Sequence, residues 1–193
     1  MKFKKIPATA FQNIQLNAGI LLDTFTPGTG TIGNILGATT GGFSFDATPT
    51  YNDYGEDIDN CPKNTKELKK LDSWEAKMSG TFVTVTADLA KTLVGAADKD
   101  SSDATHIVPR NDVEAGDFEE VWWVGDYSDK NGDQNGGFVA IKLLNSLSTG
   151  GFKISSEDKG KGKFAFEFTG HYSMDAQDTP PFEIYVKAGT AES

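Results

Sequence analysis

The chain has 193 residues and a formal charge of −10, from 18 basic and 28 acidic side chains. That balance excludes a nucleic-acid binder that works by neutralising phosphates, and it excludes docking on an anionic membrane. No apolar run approaches the ~20 residues of a spanning helix.

One cysteine, Cys61, leaves no intramolecular disulfide and no multi-cysteine zinc site. The basic N-terminus, Met1 to Pro7, lacks the apolar stretch and small-residue cleavage site of a secretory signal. It predicts a soluble chain that stays in the cytoplasm where it is made. With 21 Gly, 13 Phe and many Thr and Val, the composition predicts β structure cut into short segments by turns.

In chain order, residues 11–22 alternate, with Ile14, Leu16, Ala18, Ile20 and Leu22 on one parity and Asn13, Gln15 and Asn17 on the other. A period of two predicts a strand with one wet, uncharged polar face. Pro27, Gly28, Gly30 and Gly33 predict a loop over 23–34. Alternation resumes over 35–48, with Phe43, Phe45 and Ala47 opposite Ser44, Asp46 and Thr48.

Residues 49–72, PTYNDYGEDIDNCPKNTKELKKLD, break the pattern. Their first half is acidic (Asp53, Glu56, Asp57, Asp59) and their second basic (Lys63, Lys66, Lys69, Lys70). Asn64 and Glu67 have capping-box spacing, and Leu68 and Leu71 suit one or two helical turns. So long a connection in a compact domain predicts an extended functional loop. Its tyrosines, Ile58 and leucines argue against plain disorder.

Residues 73–86 predict a strand kinked or bulged at Gly80. Leu89, Leu93 and Val94, with Ala90 and Ala97, predict a helix of about three turns over 87–97, capped by Thr86 or Asp88. Residues 98–117 predict a polar loop with a short strand at Thr105–Val108. Strands follow at 118–128 and 138–147, joined by a turn at 129–137 with two Asn-Gly hairpin signals. In 161–173, Phe164, Phe166, Phe168 and Tyr172 oppose Ala165, Glu167, Thr169 and His171. The last strand places Phe182, Ile184 and Val186 inward and Glu183, Tyr185 and Lys187 outward. The expected fold is a single mainly β domain over 1–193. It is an antiparallel sandwich or barrel of about seven or eight strands with one mid-chain helix and one long extended loop.

Catalytic signals are missing, so no enzyme, cofactor or metal is expected. Asp129, Asn131, Asp133 and Asn135 have calcium-loop spacing, but Gln134 stands where such a loop needs Gly, and Ala140 where it needs Glu. Trp122 and Trp123 point to opposite faces of a strand and cannot form one sugar platform, which predicts one in the core and one at an interface. GTGTIGN lacks the Lys-Ser/Thr of a phosphate loop, and no GxSxG elbow occurs. An arm with oppositely charged halves suits contact with a copy of the chain displaced head to tail. A carbohydrate-binding or adhesin-like β-sandwich is the alternative, resting on exposed aromatics and the Asp/Asn-rich turn.

Several phrases resemble the major tail tube proteins of long-tailed bacteriophages. They are FQNIQLNAGILLDTF, YNDYGEDIDNCPKNTKELKKLDSWEAKMSGTFVTVT, VWWVGDYSDKNGDQNGGFVAIKLLNSLSTGGF and PPFEIYVKA. The order of features is similar too: strand pair, long arm, strand, one helix, closing strands. The resemblance implies a structural protein of the virion, assembled in the host cytoplasm. Six subunits would join their sheets into a barrel around a channel, and rings would stack into a tube. Implied partners are further copies, the tape-measure protein, and tail terminator and tail-tip proteins. DNA would pass through without specific binding, and no membrane is involved. The arm residues expected between subunits are Tyr51, Tyr54, Asp57, Ile58, Lys66, Leu68, Lys70 and Leu71. Parity assigns Asn13, Gln15, Asn17 and Glu167 to an acidic channel that repels phosphates.

Overall fold

The computed structural model describes residues 15, 17–126 and 137–188. These residues form β1 (Ile20–Leu22), β2 (Phe25–Thr26), β3 (Thr31–Ile32), β4 (Thr39–Asp53), β5 (Lys69–Phe82), α1 (Ala87–Val94), β6 (Ala97–Lys99), β7 (Ile107–Pro109), β8 (Glu119–Asp126), β9 (Phe138–Ser148), β10 (Lys153–Ser155), β11 (Lys163–Gly170) and β12 (Phe182–Lys187). The fold is mainly β, with antiparallel pairing in every ladder and one α-helix among the described residues.

Two layers share the core. The first runs β1-β8-β9-β12 and the second β4-β5-β11-β10. They are joined because the end of β9 leaves β8 and β12 and pairs with β11 at Ser148↔Phe168 and Leu147↔Thr169. Asn145, at φ 45°, makes that bend possible. Its side-chain amide donates to His171 O at 3.0 Å, and the His171 N–H donates to Leu144 O at 3.2 Å. Across the layers, Phe43 stacks on Trp123 at 4.7 Å, and Ala76, Met78, Phe82, Phe166 and Phe168 face Leu21, Val121, Ile141 and Leu143. α1 closes one flank with Leu89 and Leu93.

The alternation read over 43–48 and 164–169 is present residue by residue. Other expectations are corrected. Among the described residues of 11–22, only Ile20–Leu22 is a strand. Gly19 takes φ 67° and its N–H bonds Asn17 Oδ1, which ends the regular strand there. Leu21 and Leu22 are both buried because that layer is covered on both faces, so the strand Ile20–Leu22 has no wet face, whereas Gln15 and Asn17 before it are exposed. The expected loop at 23–34 contains the β2–β3 hairpin. Its Phe25 covers Trp122 and Phe138 in a second apolar cluster.

Gly80 does not bulge. The register shift lies opposite it on β4, between Thr39 and Phe43, where Gly41 (φ 76°) and Gly42 (φ 89°) supply the backbone freedom. Gly80 instead makes room, because a Cβ there would stand 2.8 Å from the Phe166 ring.

Thr86 caps α1 through Leu89 N–H at 3.2 Å, as the sequence suggests. The helix stops at Gly95, φ 86°, a turn shorter than expected, and Ala97 opens β6. β12 also differs: Ile184 and Val186 are exposed, while Tyr185 packs near Trp122. Phe182 alone reaches the shared core, because the second layer does not extend over the rest of this edge. Tyr172 lies beyond β11 and is 39 % exposed.

Candidate functional site

β5 pairs with β11 from Phe82 only as far as Ala76. Beyond that point β4 and β5 continue as a two-stranded ribbon, paired down to Asp53↔Lys69. The ribbon strand Lys69–Glu75 spans roughly 20 Å at ~3.3 Å per residue. So 49–72 is a projecting β-hairpin with a folded tip at 54–68, not an irregular loop. Its root is fixed: the Trp74 N–H donates to Tyr172 Oη at 2.8 Å, and the Trp74 ring meets Phe182 edge-on at 5.3 Å. Outward of that root, no hydrogen bond, ion pair or ring contact joins residues 51–71 to the body among the described residues.

The tip nevertheless holds itself together. Asp53 accepts from Gly55 N–H at 3.0 Å and from Asn64 N–H at 2.8 Å, tying the two ends of the tip. The Asn64 N–H, then the Gly55 N–H, hold the Asp53 carboxyl below the usual carboxylate range. Lys63 pairs with Glu56 at 2.9 Å, and Thr65 Oγ1 donates to Pro62 O at 2.7 Å. Leu68 turns inward against Gly55 and is partly buried, so within the chain it acts as an internal prop of the tip. The expected helical turn at Asn64–Leu71 is absent. Asn64 sits at φ 61° with its N–H on Asp53, and Leu71 belongs to β5.

The outer surface of the arm carries four apolar side chains among exposed charged and amide groups. Tyr51, Tyr54, Ile58 and Leu71 are each about half exposed. Tyr51 pairs across the ribbon with Leu71, and the Lys69 ammonium lies 5.3 Å from the Tyr51 ring. Lys70 stands 5.9 Å from the Tyr54 ring. Asp57 is exposed beside Ile58 with no partner among the described residues, and Lys66 is exposed beside Glu67 at 3.5 Å. The eight arm residues therefore share one protrusion, with Leu68 the inward exception.

The four expected channel residues do not share a face. Asn13 lies outside the described residues. Gln15 lies beside Gly125 and Asn17 beside Gly19, at one end of β8 and β1. Glu167 is on the other layer, opposite Ser79. Its own face is uniform, however. Outward from β4, β5 and β11 point Ser44, Asp46, Thr48, Glu75, Lys77, Ser79, Thr81, Lys163, Ala165, Glu167 and Thr169, with no large apolar group. Lys77 pairs with Glu75, which raises the Lys77 pKa, and Glu167 adds to the effect. The face is close to neutral, since two lysines, Lys77 and Lys163, answer three carboxylates, Asp46, Glu75 and Glu167.

Both tryptophans are buried, Trp122 at 4 % and Trp123 at 7 % exposure, because each face of that layer carries an apolar cluster. Neither offers a sugar-stacking face, which corrects the expectation of one core and one interface ring. The Asp129–Asn135 turn lies outside the described residues. Among the described residues no group of three or more His, Cys, Asp or Glu side chains is placed to hold a metal. None of their helices is long and apolar enough to cross a membrane.

Sequence reasoning missed the lysine-rich edge at β10. Phe152 and Ile154 are exposed there, and Lys153, Lys159, Lys161 and Lys163 carry no ion pair among the described residues. The run KGKGK at 159–163 was the available signal. No protein-family model and no curated protein sequence matches the chain.

Proposed function

We propose that this chain is a structural subunit of a bacteriophage tail tube. It self-assembles into stacked rings, six subunits to a ring, around a channel that first holds a tape-measure protein and later passes DNA. Tail terminator and tail-tip proteins close the two ends of the tube. The observation that carries this reading is the arm: an internally ordered ribbon with four half-exposed apolar side chains that, outward of its root, makes no hydrogen bond, ion pair or ring contact with its own body among the described residues. A segment so ordered and so uncovered is built to be covered by something else. The resemblance of its sequence phrases to tail tube proteins supplies the identity of the assembly.

Two further observations support it. The outer edge of β4 and the outer edge of β12 carry no neighbouring strand among the described residues, so the layers end in unpaired backbone groups that ring closure satisfies. The Ser/Thr-rich outer face of β4-β5-β11 is the best candidate for the channel wall. Small hydroxyls and a weak negative potential give a passing polyanion nothing to hold. Electron microscopy of the purified full chain, alone and with its tape-measure partner, tests the reading. Rings or tubes with an open channel are expected; a strictly monomeric protein in both conditions refutes it.

A further inference from the structure

The second layer has two unlike ends. At one end the arm presents Ile58 between Asp57 and Asp59, with Tyr54 nearby, and neither aspartate has a partner among the described residues. At the other end β10 presents Phe152 and Ile154, 43 % and 62 % exposed, beside Lys153 and a loop in which Lys159, Lys161 and the following Lys163 outnumber Glu157 and Asp158. β10 pairs with the start of β11 (Ile154↔Phe164), which in turn pairs with the end of β5 (Phe164↔Phe82). The arm leaves from the opposite end of β5, at Lys69. The 14 residues of β5 place the two features roughly 40 Å apart at ~3.3 Å per residue. One chain therefore cannot bring them together, whereas a copy shifted along the same axis can.

We propose that the arm tip (Asp57, Ile58, Asp59) seats on the edge strand β10 (Phe152, Lys153, Ile154) of a second copy, in a head-to-tail contact that repeats from copy to copy. This names the receiving surface for the arm, and it rests on the reading of the chain as a self-assembling subunit. Charge and apolarity match on the two sides: an isoleucine between two carboxylates meets an edge that carries Phe152 and Ile154 on one face and Lys153 on the other, with Lys159 and Lys161 in the adjoining loop. The other edge of β10 carries no strand among the described residues, so its backbone groups are also free to accept a partner. Because the two patches differ, the contact is heterologous and propagates instead of closing into a pair.

Two charge reversals in the full chain test it: Asp57→Lys with Asp59→Lys, and Lys153→Glu with Lys161→Glu. All four side chains are exposed and unpaired among the described residues, and circular dichroism checks that each variant folds. If the second variant misfolds, Lys159→Glu with Lys161→Glu, both in the loop, replaces it. Sedimentation and electron microscopy then measure the protein concentration at which tubes appear. Each variant alone is expected to need about tenfold more protein than the parent. An equal mixture is expected to assemble like the parent, since every tip then finds a patch of opposite charge. If a variant alone assembles like the parent, or the mixture does no better than its components, this contact is wrong while self-assembly stands. If the parent itself never assembles, both readings fall. If the lysine reversals abolish DNA binding by the parent and leave tube formation unchanged, β10 is a nucleic-acid surface and the inference is overturned.

Discussion

Replacing the arm tip separates its role in folding from its role in assembly. Asp53 and Lys69 are a paired couple on β4 and β5, so residues 54–68 can be exchanged for a two-residue Asn-Gly turn without altering the register. The fifteen residues removed make no hydrogen bond, ion pair or ring contact with the body among the described residues. Of the retained groups, the Asp53 carboxylate loses the Gly55 and Asn64 N–H donors and the Lys69 ammonium loses Asn64 Oδ1; both stand at the solvent-facing end of the ribbon, where water replaces those bonds, and no group of the body is orphaned. Shortening the loop from fifteen residues to two lowers its closure cost by roughly 2 kcal/mol. The half-buried Leu68 takes with it about 1 kcal/mol of apolar contact. The expected result is a body as stable as the parent or slightly more so, with a Tm within about 5 °C. Thermal unfolding by circular dichroism measures this. The same protein should form no tubes in electron micrographs at concentrations where the parent does. A Tm lowered by more than about 10 °C would mean that the tip supports the core. Normal tubes would mean that the arm is not the connecting element. Either result refutes the reasoning.

Three further perturbations follow from the packing and the charges. Phe168→Ala empties a site with 1 % exposure between β5 and β9 and should cost about 3–5 kcal/mol in urea unfolding, the cost of a fully buried phenyl ring. Gly80→Ala drives a methyl to 2.8 Å from the Phe166 ring and should cost about 1–3 kcal/mol; adding Phe166→Leu should recover part of that loss, and no recovery in a double-mutant cycle would mean that the backbone is what resists. Asp117 is 2 % exposed. Burial alone would lift its pKa, but the Glu114 N–H at 2.8 Å and Arg110 at 2.6 Å outweigh that and hold the carboxyl below its ordinary range. A carboxylate held low in the fold stabilises it fully above about pH 4 and loses that contribution as the pH falls toward the folded value. Asp117→Asn should therefore lower the Tm by about 2–5 °C at pH 7 and flatten its decline below pH 4, as read by thermal melts across that range.

Legibility from sequence followed a simple physical divide. Where one face of a strand is buried and the other wet, as at Phe164, Phe166 and Phe168 opposite Ala165, Glu167 and Thr169, side-chain period and burial coincide and the strand reads directly. Where both faces are covered, as at Leu21–Leu22 and Trp122–Trp123, alternation has no meaning, and parity extended a half-wet strand into residues that are buried on both sides. On β12 parity was regular but the facing layer ended early, so Ile184 and Val186 look inward onto nothing. The arm read as irregular because its ribbon has little to bury: both faces are largely wet, and Tyr51↔Leu71 is the one strong apolar pair across it. A free-standing ribbon therefore lacks the very signal by which strands are recognised. The resemblance to tail tube proteins pointed to the arm, and the charge pattern pointed to a second copy. The lysine-rich receiving edge needed the pairing of β10 with β11, which places it at the far end of the layer.

A subunit that polymerises must also remain soluble before it does so, and the placement of charge bears on both demands. Exposed apolar side chains on edges and protrusions invite like-with-like association. Here Ile58 is bracketed by two carboxylates, and Lys153 stands between Phe152 and Ile154. Tip against tip brings four carboxylates together, and β10 against β10 brings lysines together, so the closed, symmetric pairings are repelled. Tip against β10 is attractive. In the proposed assembly the same charges would disfavour a premature dimer and permit growth in one direction. Screening at high salt weakens the repulsion and the attraction alike over ~8 Å at physiological strength. Raised ionic strength should accordingly slow tube growth and increase disordered association together, and selective loss of only one would separate the two roles.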